Sequence, residues 1–193
     1  ALIKPAAKVF AAPEEEVMQL AQISAEEGSI SADEAAMVRN VLALDTLTAR
    51  AVMTPRTVVF RLSSAMTVGE VGEHVDDWVH SRIPIHDPED QENWIGVVRS
   101  VDVLAAHAQG QLEVTLESLA RPLPIVPESA PCSGLLNRFI DQRTHLFGVA
   151  DEFGGMAGVI SLEDVVEAIL GREIVDEVDL VADLREVARK KRR

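Results

Sequence analysis

Apolar positions recur along this chain with two periods, and the change from one to the other marks out its elements. Between residues 14 and 27, Val17, Leu20, Ala21 and Ile23 fall at helical spacing behind a first turn crowded with acids, and Gly28 stands where a helix stops. "SADE" then repeats the start signal. Ser31 can accept from the N–H groups of the next turn while Glu34 reaches back, and Met37, Val38, Val41, Leu42 and Leu44 form an apolar stripe to about Asp45. A third short helix is expected between residues 46 and 53, ended by Pro55, because the residue before a proline is pushed out of the helical region. Ahead of these helices, "ALIKPAAKVFAA" reads as a linker stub of a longer polypeptide.

Beyond residue 55 the pattern is stated twice. "SRIPIHDPEDQENWIGVVRSVDVLAA" from Ser81 and "THLFGVADEFGGMAGVISLEDVVEAI" from Thr144 share one order: an apolar strand ending in Asp, a turn, a strand carrying Gly, then an acid opening an apolar helix. Gly96 matches Gly158 and Asp102 matches Asp164, whereas Asp87 matches Asp151 with a longer offset, because the first hairpin loop has two extra residues. Upstream, "VVFRLSSAMTVGEVGEHVDDW" corresponds more weakly to "LPIVPESAPCSGLLNRFIDQR". Each unit is thus strand, helix, strand, strand, helix, and an internal repeat of this kind implies two similar halves sharing an interface.

Composition narrows the function. With 193 residues and 47% hydrophobic content the chain can bury a core, and it has no run of 18 apolar residues to span a bilayer. The single Cys132 excludes an internal disulfide framework and fits a reducing compartment. A net charge of -14 argues against nucleic-acid binding, which needs clustered Lys and Arg, and favours a divalent cation as guest. The exception is the basic end, "LREVARKKRR", read as a solvated helix end with attraction to an anionic membrane surface as the sharper alternative. No Gly-x-Ser-x-Gly, His-Glu-x-x-His, Cys-x-x-Cys or Walker A pattern is present, so no enzymatic turnover is expected.

The repeat grammar resembles a pair of CBS domains, and its details resemble the cytoplasmic region of the CorC/CNNM family of magnesium and cobalt transport proteins, sometimes labelled haemolysin-like. "AVMTPRTVV" at 51 to 59, "SRIPI" at 81 to 85, the stretch from 145 to 171 and the acidic exit "IVDEVD" at 174 to 179 carry the likeness. It implies an α+β fold: a tandem CBS pair (Bateman module) with pseudo-twofold symmetry, preceded by linker helices. The corresponding division is residues 1–50 as juxtamembrane linker and helices, 51–110 and 111–175 as the two CBS domains, and 176–193 as exit and tail. It also implies a regulatory module at the cytoplasmic face of the inner membrane, part of a longer membrane protein. Such a module dimerises into a disc, controls a transmembrane domain, and binds an adenine nucleotide, usually ATP with magnesium, between the repeats.

From the residues alone, Ser161 and Asp164 form a capping box. The resemblance adds that the hydroxyl of Ser161 faces phosphate and that Asp164 accepts from ribose hydroxyls. It supplies the other wall from the first repeat: Thr54, Ser81, Arg82 as a phosphate contact, and Ile83 with Pro84 against the adenine. In the first repeat Arg99 stands where Ser161 would be and Asp102 alone keeps register, so one competent cleft is expected and a second that is degenerate or binds weakly. Arg56 is read as ion-paired, with phosphate contact as the alternative, and the magnesium is expected on the phosphates. Cys132 is read as a small buried residue, Trp78 and Trp94 as core or interface anchors, and the five histidines show no paired ligand spacing. The acids Glu173, Asp176, Glu177 and Asp179 are read as a solvated exit helix. The rival readings are a nucleotide-free dimerisation module and a CBS regulatory module of a cytosolic enzyme. Direct haemolytic activity lacks an amphipathic pore-forming element outside the basic tail.

Overall fold

The computed structural model describes residues 13–72, 80–172 and 174; His74, Trp78, the acids Glu173, Asp176, Glu177 and Asp179, and the basic end lie outside the described residues. In chain order the elements are α1 (Glu14–Glu26), α2 (Ala32–Ala43), α3 (Ala49–Val52), β1 (Thr54–Pro55), β2 (Leu62–Ser63), α4 (Val68–Gly72), β3 (Arg82–His86), β4 (Trp94–Arg99) and α5 (Ser100–Ala108). They continue with α6 (Leu116–Leu119), β5 (Ile125–Pro127), α7 (Cys132–Gln142), β6 (Leu146–Ala150), β7 (Met156–Ser161) and α8 (Leu162–Leu170).

The helix signals at the start operate as the sequence predicts. Gly28 takes the left-handed φ of 76° after α1. Ser31 Oγ accepts from the Glu34 N–H at 3.2 Å, and the Ser31 N–H donates to Glu34 Oε2 at 2.7 Å, so both halves of the capping box are made. The third helix is shorter than the expected 46–53. Thr48 is extended in a bridge to Pro131, and that pairing delays the helix to Ala49.

Each repeat contains the expected strand, helix, strand, strand, helix. The first gives the three-stranded sheet β2-β3-β4, and the second the core of the four-stranded sheet β1-β7-β6-β5. In both, the first strand pairs parallel with the second and the second antiparallel with the third, with a register shift at the matching place, Ile85/His86 and Val149/Ala150.

The lead-in to each repeat crosses to the other. Ahead of the first repeat, the Ala49 N–H donates to Ala130 O at 2.8 Å and Arg50 N–H to Glu128 O at 2.9 Å, and β1 then adds antiparallel to β7. Ahead of the second, Leu116 N–H donates to Met66 O at 2.8 Å and Glu117 N–H to Ser64 O at 3.0 Å, and Arg121 then bridges Val97 on β4. Each core is completed accordingly. Ala49, Val52 and Met53 are buried with Val126, Phe139, Phe147 and Ile160, whereas Leu116 is buried with Val68, Ile83, Ile85 and Val98. Neither repeat buries its sheet without the other's lead-in, so burial of apolar surface couples the halves.

This exchange explains the matched glycines. A Cβ on Gly158 would strike the Thr54 carbonyl, with the carbonyl carbon at 3.1 Å and Pro55 Cα at 3.2 Å; one on Gly96 would lie 2.9 Å from Arg121 O. Strand glycine marks close backbone approach here. Where the sheets meet, Trp94 and Val97 of β4 share an apolar cluster with Leu146, Met156 and Val159. Trp94 is thus a junction anchor.

Candidate functional site

The candidate site begins where β7 runs into α8. Ser161 is extended at φ -100° and ψ 167°, while Leu162 opens the helix, so its hydroxyl lies over the helix N-terminus. Ser161 Oγ accepts from the Asp164 N–H at 3.1 Å and donates to Asp164 Oδ2 at 2.7 Å; the Ser161 N–H donates to the same oxygen at 2.7 Å. The expected capping box is complete. Its energetic value is on the order of 1 kcal/mol. One carboxylate oxygen thus receives two short bonds, which fixes the side chain at the strand-to-helix corner.

The remaining candidate residues are distributed over two sheets. Thr54 pairs with Val159, two residues before Ser161, so the lead-in lays Thr54 along the same strand end. Ser81 to Pro84 lie on and just before β3, where Arg82 pairs with Arg99, Ile83 with Val98 and Pro84 with Val97. Ile83 and Pro84 are buried and Ser81 is exposed. Val97 and Val159, the partners of Pro84 and Thr54, belong to the apolar cluster joining the sheets. The fold therefore sets the Thr54–Ser161 edge and the β3–β4 edge on either side of one junction. Arg82 makes no ion pair with any described residue, whereas Arg56 pairs with Glu92.

The matching corner of the first repeat has different chemistry. Arg99 occupies the cap position without capping: its Nε donates to Asp102 Oδ2 at 2.7 Å and its terminal nitrogen to Oδ1, while Arg121 Nη2 reaches Oδ2 at 3.2 Å. These bonds, the Arg99 bond foremost, hold the Asp102 carboxyl below its ordinary range, against burial, which opposes them. Asp102, Gln109, Ser118, Leu119 and Arg121 line a groove of about 510 Å³ between α5 and α6. Asp102 is engaged by two guanidiniums of its own chain.

Sequence reasoning did not find Arg121, the counterpart of Thr54, nor the short helix α6 ahead of it. The unexplained Gly96 was the available signal, since a strand glycine calls for a backbone lying against it. Beneath the α8 corner, Cys132 is fully buried, and burial, with the Asp164 charge second, pushes its thiol up to about 11. It is a core residue. Among the described residues, no three of His, Cys, Asp or Glu gather to hold a metal ion.

Comparison with known proteins places this geometry. The CBS domain family matches residues 116–171. The chain is 43% identical over 179 residues to UPF0053 protein sll1254 of Synechocystis sp., covering 93% of this chain and 51% of that protein. It is 30% identical over 170 residues to the magnesium and cobalt efflux protein CorC of Escherichia coli K12, covering 88% of this chain and 58% of CorC. The chain therefore spans about half the length of these curated relatives. The CBS domain of a bacterial CNNM/CorC family Mg2+ transporter superposes with a TM-score of 0.78 at 31% identity, covering 86% of this chain and 99% of that one. A structure of such a domain in complex with ATP gives 0.67 at 31% identity, covering 72% and 97%. With its α+β repeats, exchanged lead-ins and full coverage of that domain, the chain belongs to the CBS-domain region of the CNNM/CorC family.

Proposed function

We propose that this chain is the nucleotide-sensing module of a divalent-cation transport protein, binding ATP with magnesium between its repeats and acting as a dimer on a membrane domain in the same polypeptide. The carrying observation is the pairing of Thr54 on β1 with Val159 on β7, two residues before Ser161, which brings the lead-in of the first repeat to the strand end that bears the Ser161 hydroxyl and the Asp164 carboxylate. The ATP complex of a 31% identical domain supports the choice of ligand.

In this reading Asp164 releases the Ser161 hydroxyl and accepts from the ribose, and the Ser161 hydroxyl turns to phosphate. The β3 backbone at Ile83 and Pro84 gives an edge for the base, and Arg82, which makes no ion pair with any described residue, supplies positive charge. Magnesium would be carried on the phosphates, lowering repulsion between a triphosphate and a protein of net charge -14. No bond is made or broken; the module senses rather than catalyses. Its place is the cytoplasmic face of the inner membrane.

Thermal unfolding tests this reading. A ligand at 100 times its Kd stabilises the folded state by about 2.7 kcal/mol, which raises Tm by about 5–10 °C for a domain of this size. ATP with magnesium should produce that shift, and ATP with a chelator a smaller one. No shift at millimolar nucleotide would overturn the proposal. The second reading, a nucleotide-free dimerisation scaffold, is favoured by the closed Ser161–Asp164 box and by the Arg99–Asp102–Arg121 triad.

A further inference from the structure

The pseudo-symmetry is broken at the far end of α8. Its counterpart α5 carries exposed Val101, Leu104, Ala105 and Ala108, whereas α8 is packed by α2 and α3. A polar contact ties this packing. Asn40 on α2 donates from Nδ2 to Ile169 O at 3.0 Å, in partly buried surroundings and across 129 residues of sequence. The last carbonyls of a helix have no partner within it, so Asn40 satisfies a group that α8 leaves open. Gly171 makes room: it closes α8 at φ 70°, and a Cβ there would stand 2.7 Å from Asn40 Nδ2. At the equivalent end of α5 stands Gln109, with φ -85°.

We infer that Asn40 is the positioning residue through which the nucleotide corner acts on the N-terminal helices. The inference rests on the proposed function. Helix α8 is a rod of nine residues, about 13 Å long. The Ser161–Asp164 box fixes its first turn and Asn40 its last. When ribose draws Asp164 from Ser161, the first turn loses its tie and the rod re-seats. A helix this short moves as a unit, so its last carbonyls carry the displacement to Asn40 and thence to α2, which packs against α1. Leu44, buried beyond the end of α2 with Val165 of α8 in the same core, keeps the two helices in register.

The test is amide hydrogen exchange of the 193-residue chain, with and without ATP and magnesium, on wild type, Asn40→Asp and Asn40→Ala. Aspartate matches asparagine in shape but cannot donate, and it adds negative charge at the negative end of α8, so it should act more strongly than alanine. Calorimetry on the same samples measures affinity. Nucleotide should alter exchange in α2 of the wild type. In Asn40→Asp that difference should vanish while affinity stays within about threefold. A support that is only structural would alter exchange equally with and without ligand. Binding without any response in wild-type α2, or an undiminished response in both variants, overturns the inference and leaves the nucleotide reading intact. A variant that loses affinity along with the response assigns Asn40 to upholding the site, which also overturns it. A wild type that binds no nucleotide removes the proposed function, and the inference falls with it.

Discussion

Replacing Gly158 by alanine tests the exchanged architecture at its tightest point. The new Cβ would lie 3.1 Å from the Thr54 carbonyl carbon and 3.2 Å from Pro55 Cα, with the Thr54 oxygen closer still. Carbon atoms pack best at about 3.5–4.0 Å, and every neighbour here is backbone, so no side chain can rotate away. The lead-in must therefore lift from β7. That strains its pairing with Val159 and Gly158 and the bond from the Arg56 N–H to Ala157 O at 2.9 Å. Overpacking of this kind costs about 1–3 kcal/mol and each lost hydrogen bond about 1 kcal/mol, giving roughly 2–4 kcal/mol. Gly96→Ala meets one backbone oxygen at 2.9 Å and should cost about half as much. Gly134 is the control. It lies inside α7 with nothing nearer than Pro131 Cγ at 3.7 Å, so Gly134→Ala should stabilise by up to about 1 kcal/mol through helix propensity alone. Urea unfolding reads all three. Equal midpoints for Gly158→Ala and wild type, or a Gly134→Ala cost exceeding that of Gly158→Ala, would refute the reasoning.

Other residues give separate tests. Because Arg99 and Arg121 hold the Asp102 carboxyl below its ordinary range, its contribution is full at neutral pH and lost as pH falls from about 4 through the lowered value. Asp102→Asn should cost under about 1 kcal/mol at pH 7, since the partners are well exposed, and the difference from wild type should shrink as unfolding is measured at progressively lower pH. The Cys132 thiol, raised to about 11, stays protonated in the fold, so its stabilising effect is full below about pH 8.5 and lost as pH rises toward 11. A thiol reagent at pH 8 should label native Cys132 only at the rate of opening, and rapid labelling would contradict its burial. Ser31→Ala should cost about 1 kcal/mol by opening the α2 cap, measured by thermal unfolding.

Much of this fold was legible because local chemistry and tertiary structure agree. The caps at Ser31 and Ser161 and the stop at Gly28 are short-range devices that any chain of this sequence would use. The repeat emerged from residue types at matched offsets, and its hairpins follow one register. What the sequence hid was nonlocal. Thr48 reads as helix but is taken up by Pro131, and Arg121 has no local feature that assigns it to β4. Arg99 could be recognised as a departure from Ser161, yet its clamp on Asp102 depends on Arg121 arriving from the other repeat. Asn40 looks like one more polar position on α2 until α8 lies beside it. The seven candidate residues were found by likeness, and only Thr54, Ser161 and Asp164 are joined along one strand end by backbone pairing and direct bonds.

The most direct test of nucleotide sensing is calorimetric titration of ATP, with and without magnesium, into wild type, Ser161→Ala, Asp164→Asn and Ser31→Ala. Ser31→Ala removes an equivalent capping box away from the proposed site, so it separates loss of a helix cap from loss of ligand contacts. Magnesium-dependent binding at one site per chain, unchanged in Ser31→Ala and abolished or weakened at least tenfold in the other two variants, is the predicted result. A folded wild type that releases no heat, or Ser161 and Asp164 variants that bind as tightly as wild type, would contradict it.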